Sequence, residues 1–256
     1  MKKMKVLVIA NQKGGVGKTA ISLHLAWYLA EQKKKVLFVD LDTQGNASYT
    51  FRKYPVITPA SKFLSTSDES LLDLSDFKFE DNIAMISADN KLADIQSFII
   101  TEVTDNLIGN INKIEDEKIF DYCIVDTPPS LGNALAASLY IADYVITPIE
   151  LEVYSINGLA MMLKTINFVK RQNKNLKFMG MLPSKVDGRN PRHKAHLEQL
   201  KNQYNELILP FSIGLRSGIA DALDTSIPVW QIKKTAARKA ATEVTDVGAY
   251  ILKNAI

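Results

Sequence analysis

A run of nine residues near the start of the chain, 11–19, constrains the fold more than any other stretch. It reads Asn-Gln-Lys-Gly-Gly-Val-Gly-Lys-Thr and lies between the apolar run 6–10 and a helix-spaced set, Ile21, Leu25 and Leu29. A strand, a glycine turn and a helix in that order are typical of a phosphate-binding loop. Glycines let backbone N–H groups curve around phosphate oxygens, and the helix N-terminus adds partial positive charge. The structural alternative is a glycine-rich β–α turn without a ligand.

The loop departs from the ordinary Walker A pattern, because Gln12 stands where that pattern has its first glycine. Instead it carries a second lysine, Lys13, in addition to Lys18. This pattern resembles the deviant Walker A loop of the ParA/MinD ATPases, and the resemblance implies a P-loop NTPase that binds ATP with Mg²⁺. In that family the extra lysine reaches across a dimer to the partner's nucleotide. The resemblance implies these nucleotide-binding residues in the loop: Lys13, Gly14, Gly15, Val16, Gly17, Lys18, Thr19 and Ala20.

Acidic residues follow two further apolar runs. Asp40 and Asp42 come after the run 36–39, and Asp126 ends the run 121–126. Side chains just past the C-terminal ends of parallel strands lie where α/β sheets bind ligands. The resemblance implies that Thr19, Asp40 and Asp126 serve the Mg²⁺ site, and that Asp42 positions the attacking water. It thereby implies three catalytic residues, Lys13, Lys18 and Asp42, whereas turn formation or helix capping is the alternative for each acid.

Two later segments extend the resemblance. The segment Pro148-Ile149-Glu150-Leu151-Glu152, with a glycine at position 158, is similar to a family segment whose later glutamate lies near the nucleotide. The segment Met181-Leu182-Pro183 resembles the one that lines the adenine. We therefore assign Glu152, Met181 and Pro183 to the nucleotide site.

The remaining pattern predicts an α/β fold with a mostly parallel, twisted sheet flanked by helices on both faces. We expect one domain spanning residues 1–256, since 46% of the chain is hydrophobic and no linker or repeat interrupts it; two small domains are the alternative. Residues 47–118 are the least informative, with a short strand at 83–87 and largely helical character from 91 to about 112. Other strands are predicted at 6–10, 36–39, 121–126, 144–148, 178–182 and 207–209, and helices at 20–32, 131–141, 155–171, 191–204 and 236–254.

The cysteine content and the apolar runs bear on the compartment. Cys123 is the single cysteine, so no intrachain disulfide and no cysteine metal site can form. The first apolar run is shorter than a signal peptide needs, and no run reaches the length of a membrane span. We therefore expect a cytoplasmic protein without a membrane partner, in which His24 packs in the first helix while His193 and His196 lie on the surface.

Charge is unevenly distributed along the chain. Residues 1–150 carry a net charge of −5 and residues 151–256 carry +8, which gives the overall +3. A basic portion favours a polyanionic partner, although a solvated surface has the same composition. In the ParA family, arginines at the positions of Arg189 and Arg216 bind DNA without sequence preference. We take these residues as DNA-binding candidates: Arg189, Arg216, Lys233, Lys234 and Arg238.

The resemblance covers nearly the whole chain and implies a partition ATPase of the ParA type, in the short form without an N-terminal helix-turn-helix domain. Its ATP-bound homodimer would bind nucleoid DNA, and a ParB-like partner would stimulate slow hydrolysis. A MinD-like ATPase on membranes and an ATPase that positions a protein cargo are alternatives with the same chemistry. A nucleotide-dependent scaffold that never hydrolyses ATP is a third, which Asp42 disfavours.

Overall fold

The computed structural model describes residues 3–68, 72, 74, 79 and 81–255, with the backbone alone for 153–158. The strands are β1 (Lys5–Ile9), β2 (Val36–Asp40), β3 (Val56–Pro59), β4 (Ile83–Ser87), β5 (Tyr122–Asp126), β6 (Tyr144–Glu150) and β7 (Lys177–Ser184). The helices are α1 (Lys18–Glu31), α2 (Asn46–Thr50), α3 (Ala60–Ser65), α4 (Ile100–Asp116), α5 (Asn133–Ile141), α6 (Val153–Lys170), α7 (Pro191–Tyr204), α8 (Ser217–Thr225) and α9 (Thr235–Asn254). Short 3-10 segments span Asn90–Ser97, Asn205–Leu207 and Val229–Gln231.

Within these residues the seven strands form one parallel sheet in the order β3-β4-β2-β5-β1-β6-β7. The predicted α/β class is confirmed, and the sheet is parallel throughout. The central strand β1 pairs with β5 so that Ile9 is opposite Asp126, and β2 pairs with β5 so that Asp40 is opposite Asp126. The C-terminal ends of these strands therefore meet at one edge, which is where the site forms.

Both faces of the sheet are covered by apolar helices. Alternate β1 residues point to opposite faces: Val6 and Val8 join a core with α3, α4, α5 and α6, while Leu7 and Ile9 join a core with α1 and α9. A strand covered on both sides needs a continuous apolar run, and this explains why β1, β2 and β5 lack alternation. Cys123 lies fully buried in β5, as a small apolar residue would.

The element boundaries differ from the sequence prediction in a few places. The strand at 83–87 and the helix at 191–204 match residue for residue. The predicted strand at 207–209 is wrong, since a 3-10 segment ends at Leu207 and a single bridge joins Ile208 to Met181. The short elements α2, β3, α3 and α8 were not predicted, and most of the acidic stretch 71–81 lies outside the described residues.

The last helix, α9, packs against α1. Val247 and Ile251 of α9 are buried, and Gly248 lies under the ring of Tyr28, where an added Cβ would come within 2.5 Å of the ring. Glycine is therefore required in mid-helix despite its low helix propensity. This apolar face of α9 therefore belongs to the core. In the part of the chain that the structure describes, no helix is both long and apolar enough to cross a bilayer.

His24 joins α1 to the segment before α9. Its Nδ1 lies 2.6 Å from the Ala20 carbonyl oxygen and its Nε2 accepts the Val229 N–H at 3.2 Å, so the neutral tautomer with a proton on Nδ1 fits both contacts. The ring is 1% exposed and packs edge-on against Trp27 and Trp230. Burial lowers the pKa of His24 to about 4. The sequence-based interpretation of His24 as a packing residue is confirmed.

This buried imidazole should make the fold acid-sensitive. The unfolded chain protonates His24 near its ordinary pKa and the folded chain does not, so stability is lost as pH falls from about 6.5 towards 4, by about 3 kcal/mol in total. We expect His24→Gln to flatten the dependence of urea-unfolding free energy on pH across this range. Leu29→Ala, which weakens the same helix without removing a titratable group, should keep the wild-type slope. Equal slopes for His24→Gln and wild type would contradict the assignment.

Candidate functional site

The glycine loop joins β1 to α1 at the C-terminal edge of the sheet. Gly15 and Gly17 have φ angles of +77° and +90°, in the left-handed region that favours glycine. Gly17 also caps α1, and a Cβ there would approach the Ser184 hydroxyl to 3.0 Å. The loop therefore needs glycine at these two positions for its shape, and it leaves the first N–H groups of α1 directed outward.

Hydrogen bonds to two strands fix the loop. The Asn11 side chain donates to the Pro148 carbonyl at 2.6 Å and accepts the Lys13 N–H at 2.9 Å. The Ser184 hydroxyl donates to the Val16 carbonyl at 2.7 Å. The loop is thus anchored to the ends of β6 and β7, and these contacts fix its shape.

Lys18 is the buried cation of the site. Its residue is 6% exposed, and its ammonium donates to the Lys13 carbonyl at 3.2 Å. Burial lowers the pKa of Lys18, while the nearby Asp126 and Asp42 carboxylates act in the opposite direction. A buried ammonium over a ring of N–H groups is suited to an anionic ligand.

Asp126 carries the clearest chemical signal. Its Oδ1 accepts the Ser22 hydroxyl at 3.0 Å, while its buried Oδ2 has no hydrogen-bond partner. Burial raises the pKa of Asp126 and the Asp40 carboxylate raises it further, although hydrogen bonds from Thr19 and Ser22 oppose this. An unpartnered buried carboxylate oxygen beside a threonine hydroxyl suits a hard cation such as Mg²⁺.

Asp40 and Asp42 shape the turn after β2. Asp40 Oδ2 accepts both the backbone N–H and the hydroxyl of Ser48, at 2.8 and 2.7 Å, and its Oδ1 accepts the Asp42 N–H at 3.1 Å. Burial raises the pKa of Asp40. Both of its oxygens are thus engaged within the turn, so its predicted metal role is at most indirect. Asp42 lines the cavity in front of the loop.

The described residues contain no group of three or more His, Cys, Asp or Glu that could hold a metal by themselves. A cation beside Thr19 and Asp126 would therefore need further oxygen ligands from its surroundings. Mg²⁺ is commonly held this way, by one or two carboxylates, water and substrate phosphates. The donor set fits a metal that arrives with a phosphate.

A cavity of about 890 Å³ opens in front of the loop. It is lined by Lys18, by Asp42 and by Lys185, which directly follows β7 and was not assigned to the site from the sequence. Its far wall is formed by the segment 213–216 and one face of α8. Among the predicted loop residues, these line the cavity: Gly14, Gly15, Gly17, Lys18, Thr19 and Ala20.

Five of the predicted nucleotide-binding residues do not line this cavity: Lys13, Val16, Glu152, Met181 and Pro183. Met181 is fully buried in a small apolar cluster, and the buried Pro183 contributes its carbonyl to the Ile213 N–H at 2.8 Å. Glu152 is largely exposed and pairs with His193 at 3.4 Å. The neighbouring acid Glu150, the last residue of β6, contacts the loop at Lys13 instead.

Glu150 bridges two lysines at the mouth of the site. Its Oε2 lies 2.8 Å from the Lys13 ammonium and its Oε1 lies 3.3 Å from that of Lys185. The sequence did not single out this residue, because residues two apart in a strand share a face and alternation cannot separate Glu150 from Glu152. The two differ because β6 ends at Glu150, so that Glu152 lies beyond the strand.

The predicted surface histidines are less exposed than expected, and this prediction is wrong for both. His193 is partly buried and its Nδ1 accepts the Asp187 N–H at 3.1 Å. His196 lies with Nδ1 2.7 Å from the Leu151 carbonyl oxygen. Both rings tie α7 to the end of β6, as structural residues do.

The DNA-binding candidates fall into two grooves. Arg189 and Arg216 share one of about 670 Å³ with Lys239, where Arg216 pairs with Glu243 at 2.7 Å and the exposed Arg189 pairs with Asp187 at 3.3 Å. The second groove, of about 760 Å³, surrounds Trp230 and is lined by the other candidates, Lys233, Lys234 and Arg238. Of these, Lys234 pairs with Asp221 at 2.7 Å.

Comparison with known proteins gives consistent matches. A family profile described as an AAA domain matches residues 4–178. The chain is 44% identical over 253 residues to Protein IncC of Escherichia coli, covering 97% of this chain and 69% of that protein. It is 32% identical over 224 residues to the chromosome partitioning protein ParA of Myxococcus xanthus, covering 82% and 77%. Cobyrinic acid a,c-diamide synthase from Mycobacterium smegmatis, solved with bound ADP and magnesium, superposes with a TM-score of 0.77 at 26% identity, covering 98% of this chain and 94% of that one.

The unpartnered oxygen of Asp126 gives a stability prediction. In metal-free buffer at pH 8, Asp126→Asn should raise the free energy of unfolding by about 1–2 kcal/mol, because it removes a buried charge. Urea unfolding with a chelator measures this. The exposed control Asp246→Asn should change stability by less than about 0.5 kcal/mol. A loss of stability in Asp126→Asn would contradict this prediction, because it would mean that neighbouring groups already stabilise the Asp126 carboxylate.

Proposed function

Because this chain belongs to the ParA family, we propose that it is an ATP-dependent dimerising ATPase of a DNA partition system. The observation that carries the proposal is the convergence of Lys13, Lys18, Asp42 and Asp126 on one glycine loop. In this proposal a triphosphate binds at the N-terminus of α1. Lys13 and Lys18 then act on it as cations, and Asp42 orients the attacking water.

Each residue has a separate task in this scheme. The loop N–H groups and Lys18 bind the phosphates and offset the charge that moves to the leaving oxygen. Thr19 and Asp126 hold Mg²⁺, which supplies charge neutralisation between the phosphates when bound. Asp42 lies at the cavity wall and orients the attacking water. Asp40 keeps the turn in shape by accepting the Asp42 N–H, while Ser48 holds its other oxygen.

Lys13 acts between subunits. In the single chain its ammonium rests on Glu150, at the open side of the loop rather than inside it. A second subunit that closes over the loop offers the partner's triphosphate as a stronger anion. The ATP-bound state is then a dimer, and loss of the γ-phosphate weakens it. A ParB-like partner speeds hydrolysis, with part of the region 47–118 as its contact surface.

Lys13 and Asp42 can be separated experimentally. With ATP and Mg²⁺, Lys13→Ala should remain monomeric by light scattering, because it lacks the contact across subunits. Asp42→Ala should form stable dimers but release phosphate at least about 100-fold more slowly than wild type, since the attacking water is no longer oriented. Lys62→Ala, an exposed change on α3, is the control. Dimers formed equally well by Lys13→Ala would overturn its role.

The DNA-binding part of the proposal rests on a shared wall. The segment 214–216 lines both the nucleotide cavity and the groove that holds Arg189 and Arg216. A ligand that shifts this segment would therefore also move Arg216. Lysines and arginines that neutralise phosphates give sequence-independent, salt-sensitive affinity, which suits transient association with the nucleoid.

Arginine variants test the DNA surface. Arg189→Ala and Arg216→Ala should each weaken ATP-dependent binding to random duplex DNA about tenfold, and should lower the slope of log affinity against log salt by about one. Dimerisation is followed in parallel and should persist, and Lys62→Ala again serves as the control. Unchanged DNA retention in both variants at moderate salt would refute this surface.

The membrane alternative finds less support. A switch of that kind needs an amphipathic helix with an accessible apolar face. In α9 that face contacts α1 and contributes Val247 and Ile251 to the core. Liposome flotation with ATP distinguishes the two functions, since association with vesicles would favour the alternative.

We further propose that residues 1–256 act as one domain in the cytoplasm.

A further inference from the structure

We propose that Lys185 is a phosphate-binding residue of the nucleotide site, held ready by Glu150 until the phosphates take its place. The inference rests on the proposed function in one respect, that the ligand of the loop is a nucleotide. It adds a cation that neither the loop pattern nor the family assignment supplies.

Lys185 lies against the glycine loop. It lines the same cavity as Gly14, Gly15 and Lys18. Its ammonium lies 4.0 Å from where a Cβ on Gly15 would stand, so it is directly above the loop. The preceding residue, Ser184, hydrogen-bonds the loop at Val16, which fixes this end of β7 against the phosphate cradle. Lys185 is therefore attached to the rigid part of the site.

The backbone at Lys185 supports a functional reason for its placement. Its φ angle is +54°, in the left-handed region that residues with a Cβ seldom adopt. The next residue, Val186, donates its N–H to the Ile213 carbonyl at 3.0 Å and accepts the Leu215 N–H at 3.2 Å, which holds the turn. Such conformations persist where surrounding structure over-determines them, and they cluster at ligand sites.

Glu150 supplies the second argument. It is opposite Ser184 in the β6–β7 register, and its side chain is 19% exposed. One carboxylate bridges two ammonium groups, those of Lys13 and Lys185, on the open side of the loop. The bridge therefore retains an excess of positive charge, which a triphosphate with its several negative oxygens can use more fully.

The two bridged lysines then have different destinations. Lys13 leaves for the nucleotide of the other subunit, according to the proposed function. Lys185 extends from β7 of its own chain and remains over its own loop. Glu150 thus acts as a placeholder anion that keeps both lysines directed towards the site before phosphate arrives.

Nucleotide titration by calorimetry tests this inference. With Mg²⁺, Lys185→Met should weaken ATP binding about tenfold, as loss of one charge-assisted contact does, whereas AMP binding should change less than about twofold. Lys185→Arg should recover most of the ATP affinity. Glu150→Gln should bind ATP more tightly than wild type, because the competing carboxylate is gone. The control Lys174→Met removes an exposed lysine from the turn after α6 and should leave both affinities unchanged.

The outcomes separate this inference from the proposed function. Equal ATP affinities for Lys185→Met and a wild type that hydrolyses ATP would overturn the role of Lys185 alone. An equal loss for ATP and AMP would also overturn it, as it would indicate general damage to the cavity; unfolding curves without nucleotide check the fold. Weaker ATP binding by Glu150→Gln would refute the placeholder role. A wild type without nucleotide affinity would overturn both proposals.

Discussion

Two carboxylates buried side by side at neighbouring strand ends are the constraint on which the site depends. Asp40 and Asp126 are register partners of β2 and β5, and both are fully buried. Like charges so placed disfavour each other's ionisation, and burial disfavours both. The protein satisfies Asp40 through the Ser48 turn but leaves one oxygen of Asp126 without a partner. The unpartnered oxygen of Asp126 therefore favours a cation at this edge of the sheet, close to the glycine loop, which favours an anion.

The second requirement is that the loop hold its shape beside this charge pair. Asn11 ties its start to β6 and Ser184 ties its middle to β7, so the loop moves only if strand ends of the sheet move. Preorganised N–H groups and a buried Lys18 need no rearrangement when charge develops on a phosphate. The strand ends of the sheet therefore hold the groups that would contact the phosphates in fixed positions.

Sequence reasoning succeeded where local pattern and tertiary structure agree. The strands β1, β2 and β5 are continuous apolar runs, and the residues after them are the ones that meet. It failed at residue 208, where a single bridge replaced a strand, and in residues 47–65, where short elements leave little periodicity. The family resemblance pointed to Glu152, whereas the residue that contacts the loop is Glu150, and this depends on where β6 ends, which the sequence pattern does not show. Lys185 escaped notice because 170 residues separate it from Gly15.

The weakness of the contact between Lys13 and Glu150 is informative. Both side chains are partly exposed, at 38% and 19%, and ion pairs of this kind contribute roughly 0–1 kcal/mol. The Lys13 ammonium can exchange so weak a contact for a phosphate without a large barrier. The contact still restricts the positions that the lysine side chain adopts. A buried pair at the same place would be too costly to break once formed. The exposure of this pair therefore suits the proposed role of Lys13, in which its ammonium exchanges Glu150 for the nucleotide of a second subunit.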